Sequence, residues 1–119
     1  MIDERIIKVI DAEGWYFHDE GNGEGYLERH TPAGEDYIIN VDPSTADALF
    51  QSIYDEDFNF DVDEHVEMWV EAKHNGVCGV PRVVELVDDA REITAMLESL
   101  VKAVGRALDE IKAEEAEEK

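Results

Sequence analysis

The sequence has few basic residues, and it lacks the features that mark secreted and membrane proteins. Only 10 of its 119 residues are Lys or Arg, against 31 Asp and Glu, so the formal net charge is −21. Cys78 is the only cysteine, which excludes an internal disulfide bond and gives no sign of an oxidising compartment. The first residues lack the basic flank and apolar run of a signal peptide, and no apolar segment approaches the roughly 20 residues of a membrane span. We therefore expect a cytosolic protein.

The shortage of basic residues is most pronounced in the middle of the chain. Positions 30 to 72, between Arg29 and Lys73, contain no Lys or Arg and hold twelve acidic residues. Such a segment repels DNA, RNA and anionic membranes. We therefore expect a basic protein partner, and no direct binding to nucleic acid or to a membrane.

The remaining composition is that of a folded domain. Hydrophobic residues make up 44% of the chain, which is enough for a core despite 34% charged residues. The length suits one domain without metal or disulfide support. We assign residues 1–113 to a single domain and residues 114–119 to a charged, frayed tail.

The hydrophobic pattern predicts an α+β fold, with an N-terminal helix, a three-stranded antiparallel meander and then three helices, the last one long and amphipathic. The turn segments GNGEG (21–25) and TPAGED (31–36) separate the strands. The predicted elements are a helix over 3–12, strands over 15–17, 26–30 and 37–41, a helix capped by Asp42 or Ser44 with Ala46, Leu49, Phe50 and Ile53 buried, an acidic helix, and a long helix from about Pro81.

Residues 55–71 read DEDFNFDVDEHVEMWVE and contain eight carboxylates without a Lys or Arg. Asp61 is a suitable N-cap for the acidic helix, and Glu64 three residues later completes a capping box. The apolar stripe of this helix consists of Val62, Val66, Trp69 and Val70, and its spacing predicts that Trp69 is anchored in the core.

Three of these carboxylates, Asp63, Glu67 and Glu71, are spaced four residues apart and share one helix face. Each like-charged neighbour at that spacing costs about 0.2–0.5 kcal/mol, and an ordinary helix would interleave Lys. Two interpretations remain open: a solvated acidic face, or a surface that imitates the phosphates of nucleic acid. The residues expected to bind a partner are Glu35, Asp36, Asp55, Glu56, Asp57, Asp63, Glu64, Glu67 and Glu71.

Metal-binding and catalytic motifs are incomplete in this sequence. Asp57, Asn59 and Asp61 match the first, third and fifth positions of an EF-hand loop, but Val62 and Met68 stand where that loop has Gly and Glu. His65 is not part of an HExxH motif, and a lone cysteine supplies no ligand pair for zinc. No acid lies beside a nucleophile in a known motif, although two distant acids could converge. We expect no enzyme, no metal and no cofactor, and a calcium-binding module is the third alternative.

The last helix has apolar residues at alternating steps of three and four over four heptads, as in a coiled coil. Leu86 and Ile93, in its first half, are expected in the core of the domain. A helix of about 45 Å exceeds the size of such a domain, so its far half is expected to extend beyond the body. The residues predicted to form a homodimer interface there are Leu97, Leu100, Val104 and Ile111.

Three segments carry a resemblance to a known family: TPAGEDYIINV (31–41), FDVDEHVEMWVEAK (60–73) and GVPRVVELVDDAREI (79–93). With them the chain resembles a family of short acidic proteins of gut bacterial phages and mobile elements. The order of elements and the negative charge are also similar to those of a small anti-CRISPR inhibitor that occupies the DNA-binding groove of its nuclease. This likeness implies an inhibitor of a bacterial nucleic-acid-binding defence protein, of the anti-CRISPR or anti-restriction type. A structural or regulatory module whose acidity only maintains solubility is the alternative.

Overall fold

The fold is the α+β arrangement that the sequence predicts: one helix, three strands and three further helices. The computed structural model describes residues 2–32, 34–78 and 82–117. Its elements are α1 (Glu4–Ala12), β1 (Tyr16–Asp19), β2 (Gly25–His30), β3 (Asp36–Val41), α2 (Ala46–Asn59), α3 (Val62–His74) and α4 (Val83–Glu117). The predicted helix start at Pro81 lies outside the described residues.

The three strands form an antiparallel sheet in the order β1-β2-β3. Leu27 in the middle strand is paired with Phe17 on one side and with Ile39 on the other. Residues of β3 alternate between exposed and buried, so Tyr37, Ile39 and Val41 face the helices. This alternation is typical of a sheet that is covered on one face only.

Helix α4 is the central element of the helical layer. Its 35 residues span about 53 Å, and it packs against α1, α2 and α3. Leu97, Leu100 and Val104 are 0% exposed and Ile111 is 7% exposed within a single chain. The prediction that these four residues contact a second copy is therefore corrected, because α1 and α2 cover the heptad stripe. Leu86 and Ile93 are buried as predicted.

The C-terminal segment is helical beyond the predicted end of the domain. Helix α4 continues through Glu117, and the Arg5 guanidinium donates to the Glu114 carboxylate. Lys112 similarly donates to Asp47 in the first turn of α2, at 2.7 Å. Residues 114–117, which we predicted to be part of a frayed tail, are thus helical in the structure.

Helix α2 begins at a different cap from the predicted one. Thr45 is the N-cap and accepts from the Ala48 N–H, whereas Asp42 accepts from the Ser44 N–H one turn earlier. Leu49 and Ile53 are buried, and Ala46 and Phe50 pack partly buried against the core. The helix runs as far as Asn59, so Asp55, Glu56 and Asp57 lie in its last turns.

Helix α3 has less burial than its sequence predicts. Its only buried residue is His65, while Trp69 is half-buried and Val70 is 40% exposed. The expectation that Trp69 anchors the core is therefore wrong. Only two residues separate α3 from α2, and α3 packs mainly on α4. Its apolar stripe consequently meets one neighbouring helix instead of the sheet.

Candidate functional site

The exposed acidic row on α3 is the first feature of the site. Asp61 caps the helix, because its Oδ1 accepts from the backbone N–H groups of Asp63 and Glu64. This cap sets the start of the helix and places Asp63, Glu67 and Glu71 on one exposed face. Residues four apart are about 6 Å apart along a helix axis. The row is therefore a regular line of negative charge.

In the part of the chain that the structure describes, no acid of the segment 55–71 forms an ion pair with Lys or Arg. Among the described residues, the ion pairs of Lys and Arg involve only acids outside this segment, namely Asp3, Asp47, Glu85 and Glu114. Lys73 lies in the last turn of α3, and Lys102 acts on the Asp57 carboxyl, but within the described ranges neither forms an ion pair with the acidic row. The carboxylates of the row therefore remain exposed.

The last turns of α2 add three further acids, which have different surroundings. Asp55 is exposed and accepts from Gln51 at 2.8 Å, and Glu56 accepts from the Tyr37 hydroxyl. Asp57 is partly buried, and burial followed by repulsion from Glu98 raises the pKa of its carboxyl. Because the C-terminal end of a helix carries partial negative charge, all three acids oppose the helix dipole. No basic residue lies in that turn.

The two predicted site residues of the TPAGED turn point to opposite sides of the sheet. Asp36 is exposed and pairs with His30. Glu35 is directed inward and its carboxylate lies 3.1 Å from His65. The predicted set is therefore divided. Six acids remain exposed, namely Asp36, Asp55, Asp63, Glu64, Glu67 and Glu71, whereas Glu35, Glu56 and Asp57 are partly buried.

A cavity of about 380 Å³ lies between the end of α2 and the start of α3. Its lining combines three carboxylates with aromatic and apolar walls: Tyr37, Glu56, Asn59, Phe60, Asp61, Glu64, His65 and Met68. Tyr37 and Phe60 meet edge to face, with ring centroids 5.9 Å apart. Burial, followed by the hydrogen bond to Glu56, raises the pKa of the Tyr37 hydroxyl. A cavity with carboxylates and aromatic faces suits a cationic side chain.

Beneath this cavity lies a polar cluster that the sequence did not reveal. The cluster consists of Glu35, His65 and Asp89. Each side chain offers one ligand atom, and the three atoms lie within 4.8 Å of one another. Asp89 is 3% exposed and His65 is 9% exposed. The only sequence signal is that each of the three segments quoted for the family resemblance supplies one member. Two carboxylates and an imidazole are possible ligands for a cation.

The TPAGED turn positions Glu35 through Thr31. The Thr31 hydroxyl accepts from the Glu35 N–H at 3.1 Å, and the Thr31 N–H donates to the Glu35 carbonyl at 2.9 Å. Gly34 adopts a φ of +90° and donates to the Thr31 carbonyl. A left-handed conformation of this kind favours glycine. The turn therefore reverses the chain and directs Glu35 towards α3.

The EF-hand alternative does not fit the structure. Asp57 and Asn59 belong to helix α2, and the Asp61 carboxylate is engaged as the cap of α3. A calcium loop needs these positions in a single loop that wraps one ion. The segment is a helix–helix connection instead.

Comparison with family models, curated proteins and solved structures gives no match for the chain. The resemblance to phage and mobile-element proteins therefore stays a prediction. Within the described ranges, no helix combines the length and apolarity that crossing a membrane requires.

Proposed function

We propose that this protein is a small acidic inhibitor that imitates nucleic acid. Its partner is a basic, nucleic-acid-binding defence protein of the bacterial cytosol, of the kind that anti-CRISPR or anti-restriction proteins block, and the gene belongs to a mobile element. One observation carries the proposal: the acids at 55–71 form no described ion pair with Lys or Arg. A basic groove that normally holds phosphates is the complementary surface.

The energetic cost of the acidic row supports this proposal. Each repulsion along Asp63, Glu67 and Glu71 costs about 0.2–0.5 kcal/mol, and an acid at the C-terminal end of α2 costs about 0.3–1 kcal/mol. Nothing in the described part of the fold offsets these terms with a Lys or Arg pair. A basic partner would offset them on binding.

The cavity beside the row extends the proposed contact surface. Glu56, Asp61 and Glu64 surround a space of about 380 Å³ with aromatic walls. An Arg side chain of the partner fits this chemistry, because its guanidinium pairs with carboxylates and stacks on aromatic rings. Arg residues that bind phosphate in the free partner are therefore the expected occupants.

Exposed aromatic residues of α2 would add apolar contact. Phe58 is 76% exposed and Tyr54 is 44% exposed, and their rings stack with centroids 6.3 Å apart. Aromatic side chains are enriched in protein interfaces. They favour a protein partner, because carboxylates alone give mainly long-range, salt-sensitive attraction.

A structural or regulatory module whose acidity only maintains solubility is the second candidate. It is favoured by exposed acids elsewhere, including Glu20 and Glu24 near the hairpin turn and Glu85, Asp88 and Glu92 on α4. The two candidates differ in one respect. An inhibitor depends on where the acids lie, whereas solubility depends on their number.

Competition with DNA tests the proposal. Proteins captured from a bacterial lysate at low salt are eluted at high salt and purified, and the binding of fluorescent duplex DNA to each is then measured while the acidic protein is titrated in. We expect displacement of the DNA from at least one partner, in a salt-sensitive manner. A complex that holds DNA and the acidic protein together, or the absence of any nucleic-acid-binding protein among those eluted, contradicts the proposal.

A further inference from the structure

We infer that Glu35, His65 and Asp89 form a binding site for one divalent transition-metal ion. The ligand atoms of the three residues lie within 4.8 Å of one another, and His65 Nε2 is 3.1 Å from Glu35 Oε2. Two ligands of one ion at bond lengths of about 2.1 Å are roughly 3.0–3.4 Å apart. The Glu35–His65 separation already has this value, and a ligand atom of Asp89 lies within 4.8 Å of both.

The chemistry and the shielding of the cluster favour a cation. Carboxylate oxygen and imidazole nitrogen are both ordinary ligands of divalent ions. Asp89 is 3% exposed, and the side chains of Glu35 and His65 are 17% and 8% exposed, so little solvent reaches the three ligand atoms. An ion bound at this point would be the dominant local charge.

The three ligands come from three different parts of the fold, and each is held by its own element. Thr31 fixes the backbone of Glu35, His65 is the one buried residue of α3, and Asp89 is buried on α4. An ion at this point would join the turn before β3 to both helices. Helix α3 would gain most, because its apolar residues are only partly buried.

The donor set indicates the class of metal. Imidazole nitrogen suits Zn²⁺, Fe²⁺ and related ions, whereas carboxylate oxygen suits Mn²⁺, Mg²⁺ and Ca²⁺. A mixed set of one nitrogen and two oxygens selects a first-row ion such as Zn²⁺ or Mn²⁺ over Mg²⁺ or Ca²⁺. This departs from the sequence-based expectation of no metal, which considered only ligands that are close together in the sequence.

A second group with the same residue types serves as a matched comparison. Glu28, His30 and Asp36 also have ligand atoms within 4.8 Å of one another, but His30 and Asp36 are exposed on the outer face of the sheet. Exposed groups of this kind are solvated without an ion, so desolvation does not favour binding there. The inference predicts binding at the buried group and not at the exposed one.

The test is calorimetric titration of chelator-treated protein with Zn²⁺ and, separately, with Mn²⁺. All samples carry Cys78→Ser, because Cys78 is an exposed thiol and a thiolate is itself a zinc ligand. We expect one ion per chain, micromolar or tighter affinity for Zn²⁺, and a rise in melting temperature of several degrees. Loss of a ligand in His65→Gln should weaken binding at least about tenfold. His30→Gln should leave the affinity unchanged.

If His65→Gln fails to fold, a second measurement tests the inference on protein in which Glu35, His65 and Asp89 are all retained. Mn²⁺ broadens NMR signals of nearby nuclei, and the imidazole signals of His65 and the indole signal of Trp69, one turn further along α3, should broaden before those of His18 and His30. Preferential broadening of His30, or the absence of saturable binding at millimolar Zn²⁺ and Mn²⁺, would overturn the inference. Equal weakening in His30→Gln and His65→Gln would overturn it as well.

Discussion

His65 Nε2 lies 3.1 Å from Glu35 Oε2 although the two residues are 30 positions apart in the sequence. The contact joins α3 to the turn before β3, and both side chains are largely shielded from solvent. It gives the TPAGED turn a structural role beyond reversing the chain. It also places a buried polar cluster next to the cavity where we propose that a partner's Arg side chain binds.

The heptad stripe of α4 should behave as the core of one chain. Leu100 is 0% exposed, so Leu100→Ala should lower the free energy of unfolding by about 2–5 kcal/mol through cavity formation. Leu100→Glu should unfold the protein, because it places an unpaired charge in the core. Chemical denaturation followed by circular dichroism measures both effects.

The control for this prediction is Val84→Ala, at a position 70% exposed, which should change stability by less than about 0.5 kcal/mol. Sedimentation shows whether Leu100 lies in the core of one chain or in an interface between two chains, because only an interface variant would change the oligomeric state of a folded protein. If Leu100→Glu gave a folded monomer from a dimeric wild-type protein, the placement of Leu100 in the core of a single chain would be contradicted.

The N-cap of α3 should contribute measurably to stability. Asp61 Oδ1 accepts from two backbone N–H groups, at 2.8 and 3.2 Å. Removing it in Asp61→Ala should cost about 0.5–2 kcal/mol, whereas Asp61→Asn retains an acceptor and should cost much less. Denaturant unfolding provides the comparison. Equal stability of the Ala and Asn variants would show that the cap does not stabilise the helix.

Asp57 should destabilise the protein at neutral pH. Burial and Glu98 raise the pKa of Asp57 above its ordinary value of 3.8. A raised pKa in the folded state means that the favourable contribution is present at low pH, where the carboxyl is protonated, and is lost as pH rises through the folded pKa. Asp57→Asn should therefore gain stability relative to wild type as pH rises above about 4.

The expected gain for Asp57→Asn is a few tenths of a kcal/mol, because solvent screens this partly exposed group. Asp55→Asn, at an exposed position in the same helix, is the matched control. Unfolding measured from pH 3 to pH 7 gives the result. If Asp57→Asn lost stability relative to wild type as the pH rises over this range, the raised pKa of Asp57 would be contradicted.

Gly105 should be replaceable with a gain in stability. It lies within helix α4 without a positive φ, and a Cβ there would meet the Phe50 ring at 3.4 Å, an ordinary van der Waals contact. Gly105→Ala should therefore stabilise the protein by about 0.5–1 kcal/mol through helix propensity. Gly25→Ala should have the opposite effect, since its Cβ would lie 2.6 Å from the His18 carbonyl oxygen. Thermal unfolding that ranks the two variants in reverse would contradict this account.

The sequence predicted the order of elements because local signals were strong. Alternation in β3 and the three-four spacing of α4 were each visible over a full element. The predictions failed where tertiary contacts decide the outcome. Trp69 has the right spacing for a core residue, yet α3 packs mainly on one helix and leaves it half-buried. The heptads of α4 were interpreted as a dimer seam because the packing of α1 and α2 along it has no local signature.

The candidate site was predictable in part. The α3 row follows from four-residue spacing alone, and the structure places Asp63, Glu67 and Glu71 on the surface as expected. The inward direction of Glu35 and Glu56 depends on His65 and Tyr37, which are distant in the sequence. Asp89 gave no signal, because a single Asp in an acidic helix looks like any other surface residue.

The most direct measurement is the affinity of the purified partner for three forms of the protein. Wild type is compared with Asp63→Lys/Glu67→Lys, which reverses the charge of two of the three residues of the α3 row, and with Glu20→Lys/Glu24→Lys, which makes the same change in charge near the exposed hairpin turn. The account predicts that the α3 variant stays folded but loses binding by at least about 100-fold, while the hairpin variant binds within a few-fold of wild type. Equal losses in both variants would show that only total charge matters, and unchanged binding by the α3 variant would contradict the role of the row.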